Sequence, residues 1–232
     1  MRNSKGVSEV VGNLMILIII AISLSAILSY SYPLILSSQE NIKMRNVVSA
    51  IVFAKEKMDL VSSDVVPSTT VKFPPSGGYI GVSHNFYIYI YINNSLIDVT
   101  NNPGELVYNS GNKYLAVEMG GVFKKEGIND WIIYPPELIK SGNNIAINII
   151  DLSGEGSAGG YGIVNVYMRY IYQKTYYYPN SELKIVMKTN YPSAWERYLK
   201  KQGFKVSVSG NEVTAETEGN VTVCVYGIKI LI

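Results

Sequence analysis

The sequence predicts an α+β protein: a long N-terminal helix, hydrophobic and then amphipathic, followed by a mainly antiparallel, sandwich-like β domain with one short late helix. Three observations lead there. No charged residue occurs from Val10 to Gln39. Apolar residues then recur at three- and four-residue spacing as far as Met58. Beyond Val65 the chain breaks into short Val, Ile and Tyr runs punctuated by Gly, Pro, Asn and Ser.

The uncharged run is longer than the roughly 20 residues a transmembrane helix needs, and far longer than the apolar part of a secretory signal peptide. It is expected to stay in the membrane over residues 7–38. Arg2 and Lys5 precede it, so the positive-inside tendency puts the N-terminus in the cytoplasm and the remainder outside. Met44, Val47, Val48, Ile51, Lys55 and Met58, set among Glu40, Lys43, Arg45, Glu56 and Lys57, read as an amphipathic continuation of the helix over residues 39–65. Pro33 is the one breaker, and it predicts a kink in a helix running from about Ser8 to Ser62. Gly12, Ala21, Ser25 and Ser29 are small residues in this tract, and the last three, four apart, fall along one stripe, the kind of surface through which membrane helices pack closely. Ser8 is placed to cap the helix, and Glu9 in its first turn sits against the positive end of the dipole.

Residues 66–232 are predicted to form one extracellular β-rich domain. In "FYIYIYI" the tyrosines 87, 89 and 91 alternate with Ile88, Ile90 and Ile92, which suits a sheet with one core face and one partly exposed aromatic face. "PSAWERYLKKQG" places proline in a first turn, Trp195, Tyr198 and Leu199 on one face, and Gly203 as a stop, giving one short helix. "FKVSVSGNEVTAE" reads as a hairpin about Gly210-Asn211, and "NVTVCVYGIKILI" as a separate closing strand.

Composition argues against several activities. The net charge is +2, and the pairs Lys124-Lys125 and Lys200-Lys201 are isolated, so no basic face for nucleic acid is expected. Cys224 is the single cysteine, which rules out an internal disulfide. His84 is the single histidine, so histidine-rich metal sites and Ser/His/Asp or Cys/His catalysis would all rest on one residue beside a predicted loop. "DLSGEGSAGGYG" lacks the lysine of a phosphate loop and reads as a flexible surface loop. Asp151 and Glu155 within it make a weak calcium signal. No pair of carboxylates stands out for hydrolysis. Hence no cofactor, metal or enzymatic activity is expected. Asn93 and Asn220 open N-glycosylation sequons in the part expected outside.

Lys5-Gly6 followed by Val7-Ser8-Glu9 and an apolar tract, "KGVSEVVG", resembles the class III signal peptide of the type IV pilin superfamily, most of all its archaeal branch. The resemblance implies cleavage by a membrane-embedded prepilin peptidase between Gly6 and Val7, so residues 1–6 would be a leader that is removed. Glu9 would become the third mature residue, where bacterial pilins hold their glutamate at the fifth, and would take part in processing or assembly. The implied partners are the peptidase, the membrane and neighbouring pilin-like subunits. The β domain would face outward for adhesion, with surface glycans or cell-surface proteins as candidate targets. An anchored exterior binding module that never polymerises fits the same features, and an anchored hydrolase is a third, weaker reading.

Overall fold

A computed structural model describes residues 4–63, 65–100 and 102–232, with side chains from residue 11 onward. The side chains of Lys5, Gly6, Val7 and Glu9 therefore lie outside the described residues. Met1–Arg45 and Asn46–Ile232 form two compact units. Helix α1 (Ser4–Ser62) is uninterrupted at Pro33. The fold is α+β as expected, with the strands following the helix.

In the first unit, every large apolar side chain from Val11 to Ile42 is exposed, among them Leu17 at 68% and Ile22 at 64%. In the second unit the same helix has one buried stripe. Val47, Ile51, Ala54, Met58 and Val61 are fully buried, at steps of four and three that keep them on one face. Ala54 and Val61 extend the stripe beyond the expected set, and Val48 is only half-buried. Lys55 is buried as well, its Nζ 2.6 Å from Asp59 Oδ2, 3.3 Å from Glu137 Oε1 and 4.2 Å from the centre of the Tyr134 ring. The cation is thus paired twice in the place where its alkyl stem is packed.

The strands, in chain order, are β1 (Ser68–Phe73), β2 (Tyr79–Ser83), β3 (Tyr87–Ile92), β4 (Ser95–Leu96), β5 (Glu105–Ser110), β6 (Lys113–Glu118) and β7 (Gly121–Glu126). They continue with β8 (Asn129–Tyr134), β9 (Leu138–Ser141), β10 (Asn144–Ser153), β11 (Ser157–Gly159) and β12 (Val164–Lys188). Helix α2 (Pro192–Lys201) follows, then β13 (Lys205–Ser209) and β14 (Glu212–Leu231). One sheet runs β4-β3-β12-β14-β10-β9, with β1 paired to β12 and β13 to β14; the other runs β11-β2-β5-β6-β7-β8. All ladders are antiparallel except β10 with β14.

Two expectations are corrected here. The hairpin arm and the closing strand are a single strand, β14, and its partner β12 is also continuous through Pro179. Proline lacks the N–H a regular ladder needs. The register shifts between Tyr178 and Ser181, Asn180 takes φ 45° and Gly219 opposite takes φ 155°, so one shared irregularity absorbs both turn-like stretches. At Gly219 a Cβ would stand 2.4 Å from the Asn143 carbonyl oxygen. The second correction concerns "DLSGEGSAGGYG": Asp151 to Ser153 belong to β10, and Ser157 to Gly159 pair with β2 as β11.

The main core lies between the sheets. Ile88, Ile90 and Ile92 of β3 point into it while Tyr87, Tyr89 and Tyr91 stay half-buried on the other face, as the alternation predicts. Valines 221, 223 and 225 of β14 face the same core and Cys224 alternates away from it. Helix α2 contributes Ala194, Trp195 and Leu199, the indole lying between Phe86 at 6.5 Å and Phe123 at 5.0 Å. Gly203 ends this segment at φ 84°, a conformation that favours glycine.

Candidate functional site

Directly paired residues of an antiparallel ladder point to the same side, so register sorts the second sheet into rows. One row is Tyr79, Asn109, Tyr114 and Lys125, across β2, β5, β6 and β7. The next is Gly81, Val107, Ala116 and Phe123. The third begins Ser83 and Glu105 and, one step past Leu106 with Val117, meets Glu118 and Gly121. Phe123 and Ala116 run into the core beneath α2. The Tyr79 row does not, and the result is an open cleft of about 620 Å³, closed at its sides by Ser157 and by Asn190 and Tyr191 ahead of α2.

Glu105 lines the cleft at one end, and a second buried carboxyl, Glu118, stands next to it. Glu118 is 1% exposed and accepts hydrogen bonds from Thr189 Oγ1 at 2.8 Å and from Trp195 Nε1 at 2.9 Å. Glu105, also 1% exposed, lies within hydrogen-bond reach of Ser83 and Glu118, while its Oε2 is buried with no partner. Burial first, and then the neighbouring Glu105, push Glu118 well above the usual carboxylate range; burial raises Glu105 too. Both shifts favour the protonated form of these carboxyls. Through Thr189 and Trp195, Glu118 joins α2 to the second sheet as a polar lock. Asp130 of β8 adds to the lock: Tyr191, at the cap position, makes no side-chain cap, and Asp130 Oδ2 instead accepts the Ser193 N–H at 3.2 Å.

The residues singled out from sequence are dispersed. Asn93 and Asn94 form the β3–β4 turn at φ 50° and 65°, and Asn93 Oδ1 accepts the Glu182 N–H at 2.9 Å. Asn220 lies at the irregularity between β12 and β14. Its Oδ1 accepts the Asn180 N–H at 3.0 Å and its Nδ2 donates to Asn144 Oδ1 at 3.1 Å, so the nitrogen a glycan would modify is already engaged. His84 Nε2 is 3.5 Å from the Gly154 carbonyl. Asp151 accepts the Tyr172 hydroxyl at 2.6 Å. Thr175 Oγ1 lies 3.6 Å from Cys224 Sγ. Among the described residues no group of three or more His, Cys, Asp and Glu side chains converges as a metal site. The Glu105–Glu118 pair was missed because its members lie on neighbouring strands, thirteen positions apart, with no local signal beyond a carboxylate in each of two strand-like runs.

Within the described residues one helix is long and apolar enough to cross a membrane. The profile of a family of unknown function, DUF7289, matches residues 5–231. The chain belongs to DUF7289. That span takes in the apolar helix and both sheets, so helix and β domain are a single family unit. The DUF7289 chain is also 25% identical over 181 residues to an uncharacterised protein of Archaeoglobus fulgidus, covering 68% of each chain. No solved structure matches it.

Proposed function

We propose that this DUF7289 chain is a non-enzymatic, membrane-anchored, pilin-like surface protein, a subunit or minor component of an archaeal type IV pilus or pseudopilus. The observation that carries the reading is the helix from Val11 onward, uncharged to Gln39 and apolar on all sides with its side chains exposed. Such a surface needs lipid or like helices around it. The Lys5-Gly6 step ahead of it supplies the peptidase site, and cleavage there leaves Val7 as the new N-terminus with Glu9 close by to offset its charge. In this reading the β domain stands outside the cell, available for adhesion or assembly.

Mass spectrometry of the native protein tests it. A mature chain beginning at Val7 is expected; one beginning at Met1 or near residue 30 refutes the processing step. Replacing Gly6 with leucine should block cleavage. Ser25 already bonds back to the Ala21 carbonyl at 2.8 Å, so Ser25→Leu changes the small-residue stripe. It should abolish recovery in sheared filaments while leaving insertion and cleavage intact. A wild-type protein absent from every filament fraction would instead favour the anchored module that never polymerises. The cleft of the β domain is the feature that would serve that second reading.

A further inference from the structure

We infer that the cleft on the second sheet is a saccharide-binding site. Strands lie about 4.8 Å apart, so Tyr79 and Tyr114, separated by the strand that carries Asn109, stand roughly 10 Å apart with the amide between them. Both rings are well exposed, at 47% and 42%, although tyrosine on a sheet face is ordinarily packed. In the next row Gly81 and the half-buried Val107 line the cleft, with Ser157 packed close over Gly81, while Ala116 and Phe123 are buried in the core. Four residues further along β5, about 13 Å at the strand rise, lies Glu105 with its unpartnered, buried Oε2. The space between, about 620 Å³, falls within the range of small-ligand pockets.

The mixture of groups selects the ligand class. A sugar ring presents a C–H face and a rim of hydroxyls that both donate and accept. The aromatic faces suit the first, and the amide, carboxyl and ammonium suit the second. Asn109 Nδ2 donates to Tyr79 Oη at 3.1 Å, holding the ring over the row. Lys125 Nζ donates to the Asn190 carbonyl at 3.1 Å, which uses one of its three protons. Polyanions fit poorly, since the cleft has one lysine and a buried carboxyl pair. This inference goes beyond the anchoring role and does not depend on polymerisation, so either can fail alone.

The test uses the full chain in lipid nanodiscs, avoiding glycoside detergents that carry the ligand class themselves. Saturation-transfer NMR is run with glucose, galactose, mannose, N-acetylglucosamine and their β-linked dimers. Transfer to at least one sugar is expected, with a loss of about tenfold or more in affinity, ~1.4 kcal/mol, in Tyr114→Ala and in Asn109→Ala. Tyr89→Ala, on the other sheet, should bind as the wild type does. If Tyr114→Ala does not fold by near-UV circular dichroism, Lys125→Ala takes its place. No transfer to any of the sugars at ~10 mM, the millimolar limit of useful affinity, overturns the inference. So does binding that survives every cleft variant.

Discussion

Replacing Glu118 with glutamine should make the β domain more stable at alkaline pH, the reverse of what removing a buried hydrogen-bonded side chain ordinarily does. In the wild type, both Glu105 and Glu118 are raised above their ordinary value of 4.5. The folded chain therefore keeps a proton that the unfolded chain has already released. For a raised carboxyl the stability is complete below about pH 4.5 and falls as pH rises towards the folded value. Each such proton removes about 1.4 kcal/mol per pH unit. For a unit of roughly 190 residues that is about 3–5 °C of Tm per unit. Asp59, raised chiefly by burial to about 6, adds a fall of the same sign below pH 6. The part of the descent that the variant lacks belongs to the carboxyl pair. Glutamine cannot ionise, its amide donates to Glu105, and its oxygen still accepts from Thr189 and Trp195. The Tm of Glu118→Gln should therefore lie close to that of the wild type near pH 5 and exceed it by several degrees at pH 8. Thermal unfolding followed by near-UV circular dichroism from pH 4.5 to 8 reads both curves. A wild-type Tm that is flat or rising across this range, or a variant that falls as steeply, would refute the raised carboxyls.

Three further outcomes follow from the packing. Ile51→Ala should cost about 3–4 kcal/mol through the cavity it leaves, lowering Tm by roughly 10 °C, whereas Ile42→Ala on the exposed stretch should leave the transition of the β domain unchanged. Lys55→Met strands Asp59 and Glu137, whose side chains keep 34% and 27% exposure, so the loss should sit at or below the lower end for a broken buried pair, about 2–3 kcal/mol, read by chemical denaturation. A chain beginning at Ser38 should be soluble, and one beginning at Val66 should aggregate for want of the stripe from Val47 to Val61; equal solubility by gel filtration would show that the helix covers nothing essential.

Elements whose signal is local are legible in the sequence. The uncharged tract from Val10 to Gln39, the Tyr/Ile alternation of β3, and the run from the first-turn Pro192 to the Gly203 stop each depend on neighbours within a few residues, where helix and strand periods are written directly. Whatever depends on partners distant in the chain is set by the packed fold. The break expected between the hairpin arm and the closing strand, at Glu218-Gly219-Asn220, disappears once Pro179-Asn180 is set opposite it, where one bulge lets β12 and β14 run on as two long strands. Burial of Lys55 required Glu137 from the β8–β9 connection. The cap of α2 came from Asp130, not from the residue ahead of it. The Glu105–Glu118 pair, like the Tyr79–Asn109–Tyr114–Lys125 row above it, exists only because register brings strands β2, β5, β6 and β7 side by side. Register is set by the whole sheet's burial and turn geometry, and no window of sequence around any one of those residues contains it.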